Sequence, residues 1–358
     1  MSEPSQPFNA PAEIEPQERR SRRSAGGIKL SDVARLAGVS PITASRALNT
    51  PDLVSPATLH KVRQAVNQTG YVPNMLAGGL ASSRSRLVAA IVPTLIGPVF
   101  LETIQSLTEA LAAVGYQVML GQTGYTDSRE DALLHAVMGR RPDGIVLTGI
   151  LHSDDLKRRL AASGIPIVET WDLTPSPIDM LVGFSHEQIG ADVAAFLHRR
   201  GRRRAVVLSA DDARAERRNQ AFVTTAARLG MWSGEGGCIP THRVPAPTTI
   251  GSGRVGLSAL LASHPDLDAV FCSSDSLALG VMTEAQVHGI RIPDDIAVIG
   301  LGDLEFAKDL QPALTTVRID GTTIGRLAAQ MIVERASGKA VGQTIYDVGF
   351  SIIERQSA

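Results

Sequence analysis

The segment Asp32-Val-Ala-Arg-Leu-Ala-Gly38-Val-Ser40, followed directly by Pro41-Ile-Thr-Ala-Ser-Arg46, gathers residue types that read a DNA duplex. Two short helices joined by a tight glycine-containing turn place the second helix in the major groove. Positions near the N-terminus of that helix then face base edges. Pro41 and Ile42 offer apolar contact, suited to a thymine methyl, and Arg46 offers a planar guanidinium that can grip O6 and N7 of one guanine. Thr43 and Ser45 fall nearer the phosphates, and Ser40 makes the turn. Helix, glycine turn and helix also build plain bundles. The basic excess around this pair favours DNA.

No comparable constellation points to catalysis. The eight histidines form no metal-ligand spacing, Cys238 and Cys272 stand alone, and no nucleophile–base pair is visible. Gly251-Ser-Gly-Arg-Val-Gly256 matches the phosphate-loop pattern literally. It follows Val244-Pro-Ala-Pro-Thr-Thr rather than a strand, so a helix start is the better reading. The basic run His198–Arg204 reads as a solvated connection in preference to a second DNA patch. The expectation is a binding protein with no cofactor and no metal, not an enzyme.

Elements that would position these residues are legible in the apolar spacing. Leu30, Val33, Ala34 and Ala37 repeat at helical intervals up to Gly38. A second helix runs from about Pro41 to Leu48. A third is opened by Ser55 and Pro56, carries Leu59, Val62 and Val66 on one face, and is closed by Gly70. From Leu87 the texture changes. Short apolar runs (87–92, 116–120, 144–147, 165–168, 205–208, 269–272, 296–299 and 316–319) alternate with helical patterns. That is the signature of parallel sheets covered by helices, and eight strands divide better into two subdomains than one sheet.

Charge divides the same way. The chain has 358 residues and a formal net charge of −1. Residues 28–86 hold seven basic against two acidic side chains, while 87–358 hold 24 against 30. A small basic module therefore precedes a large acidic one, as expected where one part meets nucleic acid. An apolar content of 44% excludes a disordered chain. Residues 1–27, rich in Pro, Ser, Glu and Arg, read as a disordered tail. Two cysteines fit a reducing compartment. The stretch 87–101 is interrupted by Pro93, Gly97 and Pro98, and the N-terminus lacks an apolar leader. A cytoplasmic protein with no membrane association is expected.

The stretches DVARLAGVSPITASRALN and VSPATLHKVRQAVNQTGYVPNMLAGGLAS resemble the headpiece of the LacI/GalR family of bacterial repressors. The resemblance extends over residues 28–356. It implies an α/β protein: a helix-turn-helix headpiece (28–73), a hinge helix (74–86), and a core resembling periplasmic sugar-binding proteins (87–358). The core's first subdomain would comprise about 87–184 with 318–344, and the second about 185–317 with 345–358. It also implies a homodimer on double-stranded DNA carrying a palindromic operator. Ser40 and Asn49 join the reading helix by position. Tyr71 and Asn74 match backbone-contacting residues, and Ala77 and Leu80 match the hinge helix, whose leucine wedges into the minor groove. Gly78 and Gly79 weaken any helix in that segment, which agrees with folding on DNA. Two departures stand out: Lys29 occupies the usual threonine N-cap, leaving Ser31 to cap or a looser start, and Gly79 precedes the wedge.

By the same resemblance, effector-binding positions fall on Phe100, Trp171, Asp172, Arg218, Thr248, Ser274, Asp275, Gly302 and Asp303. Arg218 stands at the family's effector-binding arginine, Thr248 where many relatives have an aromatic, and Gly302 where many have an aspartate. A guanidinium binds a carboxylate, Asp172, Asp275, Thr248 and Ser274 bind hydroxyls, and Trp171 stacks on a sugar face. Each has an alternative: Trp171 as core, Asp275 as a helix cap, Arg218 as one of a surface run with Arg214 and Arg217. The stretches VPTLIGPVFLETIQSLTEALAAVGYQVMLGQTGY and DAVFCSSDSLALGV resemble the gluconate-type branch, implying a sugar-acid effector that releases DNA. The end at Ala358, without heptads, predicts a dimer rather than a coiled-coil tetramer. A sugar receptor without DNA binding is the rival from another class, and the basic headpiece argues against it.

Overall fold

The computed structural model describes residues 28–72, 84–96, 98–124, 127–150, 152–232 and 238–358. The expected tail 1–27 and the hinge residues Asn74, Ala77 and Leu80 lie outside the described residues. Contacts divide the chain into two units, Met1–Ser82 and Ser83–Ala358.

The first unit contains helices α1 (Leu30–Ala37), α2 (Pro41–Asn49) and α3 (Pro56–Thr69). Its core is made of Val33, Ala34, Ala37, Ala44, Ala47, Val62 and Ala65. Five of these seven are alanines, so the helices can approach closely. Local chemistry sets the helix limits. Gly38 adopts φ +65°, a left-handed geometry that ends α1 and turns the chain. Ser40 and Ser55 cap α2 and α3 by accepting from the N–H groups of Thr43 and Thr58. Of the two expected starts of α1, Ser31 as the cap does not hold: it lies inside the helix. Lys29 is the N-cap, and its N–H donates to Asp32 at 3.0 Å. The Asp32 carboxylate makes the reciprocal bond of a capping box, satisfying the Lys29 N–H and not the N–H that a threonine hydroxyl would accept from.

The second unit has two six-stranded sheets. The first contains β1 (Leu87–Val92), β2 (Gln117–Gln122), β3 (Gly144–Thr148), β4 (Ile167–Thr170), β5 (Met180–Gly183) and β11 (Ile345–Asp347), in the order β11-β5-β4-β3-β1-β2. The second contains β6 (Ala205–Ala210), β7 (Thr241–Val244), β8 (Ala269–Cys272), β9 (Ala297–Leu301), β10 (Thr315–Arg318) and β12 (Ser351–Ile353), in the order β12-β10-β9-β8-β6-β7. All pairings are parallel except β10 with β12. β6 is buried along its whole length and β1 everywhere but its first residue, as expected for strands covered on both faces. Their unbroken apolar runs made them visible in the sequence.

The chain crosses between the lobes three times, at 183–186, 318–321 and 347–351. The last crossing differs from expectation. Ile345 pairs with Leu181 and Asp347 with Gly183, so 345–347 belongs to the first lobe and the switch follows it. Gly183 sits at the first crossing, where a Cβ would lie 1.7 Å from the Asp172 carbonyl oxygen. No side chain fits there. No helix among the described residues is long and apolar enough to cross a membrane.

Candidate functional site

In the headpiece, the exposed residues of α2 recur at helical spacing. Ile42 is 67% exposed, and Arg46 and Asn49 are exposed on the same face with half-buried Ser45 between them. Ala44 and Ala47 face the core instead. Pro41 is exposed at the first helical position. Asn49 donates to Ser45 Oγ at 3.2 Å, which aligns both side chains. Ser40 and Thr43 share a 2.9 Å hydrogen bond and are engaged in capping. Tyr71 packs against the headpiece core. The result is an unpartnered face on a rigid helix, with one cation and one amide for base edges and an apolar residue at its leading end.

In the second unit, a cavity of about 110 Å3 lies between the lobes. Of the positions the resemblance pointed to, Phe100, Trp171, Arg218, Thr248 and Ser274 line it. Asp172, Asp275, Gly302 and Asp303 do not. Asp172 is fully buried and accepts a two-pronged contact from Arg217 at 2.7 and 2.9 Å. Asp275 is the first residue of α10 (Asp275–Val287), but Ser274 caps it. Its carboxylate accepts from Thr316 at 2.5 Å and from the Leu304 N–H at 2.8 Å, and burial pushes its pKa up to about 6. Gly302, at φ +134°, lets the chain turn past that carboxylate. Asp303 pairs with Arg355 at 2.6 Å and Arg318 at 3.2 Å. All three acids are engaged within the fold, Asp172 and Asp275 where sequence position suggested sugar hydroxyls.

Trp171 touches the cavity, but with 5% of its surface exposed it offers too little area to stack on a sugar ring. Its ring lies edge-to-face with Phe100 at 4.9 Å and with Phe184 at 5.7 Å. Its indole N–H donates to Thr103 at 3.0 Å. Its backbone adopts φ +63°, a strained geometry costing about 1–3 kcal/mol and favoured at ligand sites.

Arg218 dominates the electrostatics. It lies on α8 (Ala213–Arg228) with 6% exposure. Nη1 donates to His186 Nδ1 at 2.9 Å, and Nε has no partner. Among the described residues no carboxylate lies within ion-pair distance of it. Burial pushes its pKa down to about 10, against the pull of Asp212. The rest of the wall was not anticipated. Asp212 caps α8, accepting from the N–H groups of Arg214 and Ala215 at 3.0 Å. Arg214 lies over the Phe100 ring at 5.5 Å. Ser273, Ser274, Ser276 and Thr248 bring four hydroxyls to one side, with Thr248 and Ser274 2.9 Å apart. An Asp-Asp-Ala-Arg run closing a strand is the signal that would have found Asp212 and Arg214. A wider opening of about 560 Å3 adjoins at these two residues. Its Glu130 pairs with His152, and its Glu216 with Arg243. Among the described residues no cluster of His, Cys, Asp or Glu could hold a metal ion.

Residues 29–74 match the model of bacterial regulatory proteins of the lacI family, and 194–358 match the periplasmic binding protein-like domain. The HTH-type transcriptional regulator GntR of Pseudomonas aeruginosa is 36% identical over 94% of this chain and 98% of its own length. GntR of Escherichia coli K12 is 29% identical over 90% of this chain and 96% of its own. A LacI family transcriptional regulator from Silicibacter pomeroyi superimposes with a TM-score of 0.85 at 32% identity, covering 92% of this chain and 99% of that one. GntR from Chromobacterium violaceum gives 0.71 at 33%, covering 76% and 98%. Two parallel-sheet lobes behind a helix-turn-helix, and relatives that are regulators rather than enzymes, lead to one conclusion: the chain belongs to the LacI family of DNA-binding transcriptional regulators.

Proposed function

We propose that this regulator is a cytoplasmic repressor of sugar-acid metabolism. It binds a palindromic operator as a homodimer, and a sugar acid of the gluconate class in the inter-lobe cavity releases it. The observation that carries the effector class is Arg218, a buried cation with no carboxylate partner among the described residues, in a cavity that the hydroxyls of Thr248, Ser273, Ser274 and Ser276 also line. A polyol with a terminal carboxylate complements both kinds of group. Resemblance to the gluconate-type branch supports the same choice. Arg46, Ile42 and Asn49 read bases, and Tyr71 with Ser45 positions the backbone.

Effector and operator oppose each other through linkage, and a coupling of about 1–3 kcal/mol yields 5–150-fold changes in operator affinity. The test is a mobility-shift titration with gluconate, 2-ketogluconate and sorbitol on the operator upstream of the regulated genes. Release by a sugar acid and not by sorbitol is expected. Equal release by sorbitol, or none by either acid, overturns the effector assignment and leaves DNA binding untouched.

A further inference from the structure

His186 opens α7 (His186–Arg199) and is 3% exposed. Its ring bridges two fixed groups. Arg218 Nη1 can only donate, so Nδ1 accepts, at 2.9 Å. The Trp171 carbonyl oxygen can only accept, so Nε2 carries the proton, at 3.0 Å. Both nitrogens are thereby assigned, and the imidazole is neutral. Burial, then Arg218, Arg214 and Arg217 in turn, hold its pKa well below the usual histidine range.

Among the described residues Arg218 has no charge partner. Asp172, 4.0 Å from His186 Nε2, is committed to Arg217 and to the Leu173 N–H. Asp212 is committed to the helix cap. Glu187 also goes to Arg217, at 2.7 Å. Gly190 allows this packing: a Cβ there would lie 2.1 Å from the Arg218 carbonyl oxygen, so only glycine lets α7 approach α8 closely enough for the imidazole to meet the guanidinium. The charged side chains that line the cavity, Arg214, Arg218 and Asp212, sum to one positive charge.

We propose that His186 is a positioning residue that aims Arg218 without neutralising it, so that the site is completed by one carboxylate from the ligand and selects a monoanion over a neutral sugar. The inference rests on the sugar-acid reading and deepens it. A carboxylate in place of His186 would supply the counter-charge internally, and the ligand would have to displace it. A neutral acceptor of the same reach would not.

Asn and Asp both place an oxygen near the Nδ1 position and differ by one charge, so H186N and H186D isolate the point. Calorimetric titration of each full-length variant with D-gluconate and with sorbitol is the test, with thermal melting to confirm folding. H186N should bind gluconate within about tenfold of wild type and keep its preference over sorbitol. H186D should lose at least a hundredfold in gluconate affinity. Gluconate affinity of H186D within threefold of H186N overturns the role of His186 while leaving the sugar-acid reading intact. So does a folded H186N that no longer prefers gluconate, an outcome that decides the matter even if H186D does not fold. Wild type that takes sorbitol as tightly as gluconate overturns the sugar-acid reading and this proposal together.

Discussion

Arg218→Met should make the ligand-free protein more stable while abolishing its response to sugar acids. Among the described residues the buried guanidinium has no counter-ion, and burial lowers its pKa from the ordinary arginine range to about 10. That displacement corresponds to a cost of about 3 kcal/mol for keeping the charged form in the folded state. The cost is fully present at every pH below the folded value of about 10, and it disappears only as pH rises through the ordinary arginine range. A melt at neutral pH therefore registers all of it. Methionine fills a similar length with an apolar, adaptable chain. Against the gain stands His186 Nδ1, which loses its donor at roughly 1–2 kcal/mol. The net expectation is about 1–2 kcal/mol of stabilisation, or an upward shift of roughly 2–5 °C for a unit of this size. Differential scanning fluorimetry with and without gluconate checks both halves. At a hundredfold excess over Kd the wild type gains about 2.7 kcal/mol from ligand, and the variant gains none. A ligand-free variant that melts below wild type would refute the reasoning. It would mean that Arg218 already has its charge satisfied, and the carboxylate role would lose its basis.

Three further outcomes are expected. Arg46→Ala should weaken specific operator binding by about 1–3 kcal/mol while changing non-specific affinity little, as a mobility-shift competition against random DNA would show. Arg217→Ala leaves the Asp172 carboxylate buried and unpaired, and should destabilise the core by about 3–5 kcal/mol in urea unfolding; D172N in the same background should recover part of it, and additivity of the two changes would deny the pairing. His186 is depressed in the folded state, so as pH falls below about 6.5 the unfolded chain takes up a proton that the folded one refuses; wild type should lose roughly 1.4 kcal/mol per pH unit relative to H186N, and parallel stability–pH curves for the two would contradict the neutral imidazole. The comparison between variants matters because Asp275 and His152, both raised, titrate in the opposite sense in both proteins.

The headpiece was legible almost residue by residue because its signals are local. Gly38, Ser40, Pro41, Ser55 and Gly70 each act on the backbone within a few positions, and the exposed face of α2 follows from a period of 3.6 residues. The central strands were legible for a similar reason, since burial on both faces leaves an unbroken apolar run. Strands β5, β7, β11 and β12 were not anticipated. They are three or four residues long, and β7, β11 and β12 are largely half-buried or exposed, so they carry little apolar pattern of their own and exist because a neighbour supplies the ladder.

By itself the sequence determined that a basic helix-turn-helix precedes an acidic two-lobed α/β core, and that Arg218 was a residue to watch. Only the tertiary structure decided which acids are free to meet a ligand. Asp172, Asp275 and Asp303 end strands or begin helices as Asp212 does, and spacing cannot tell them apart. Their fates depend on partners 29 to 52 positions away: Arg217 for Asp172, Leu304 and Thr316 for Asp275, and Arg355 for Asp303. A buried carboxylate that finds a donor is spent on the fold, and a buried guanidinium that finds only a neutral imidazole keeps its charge for the ligand. That difference arises when the lobes and the helices α7 and α8 come together, and no local pattern contains it.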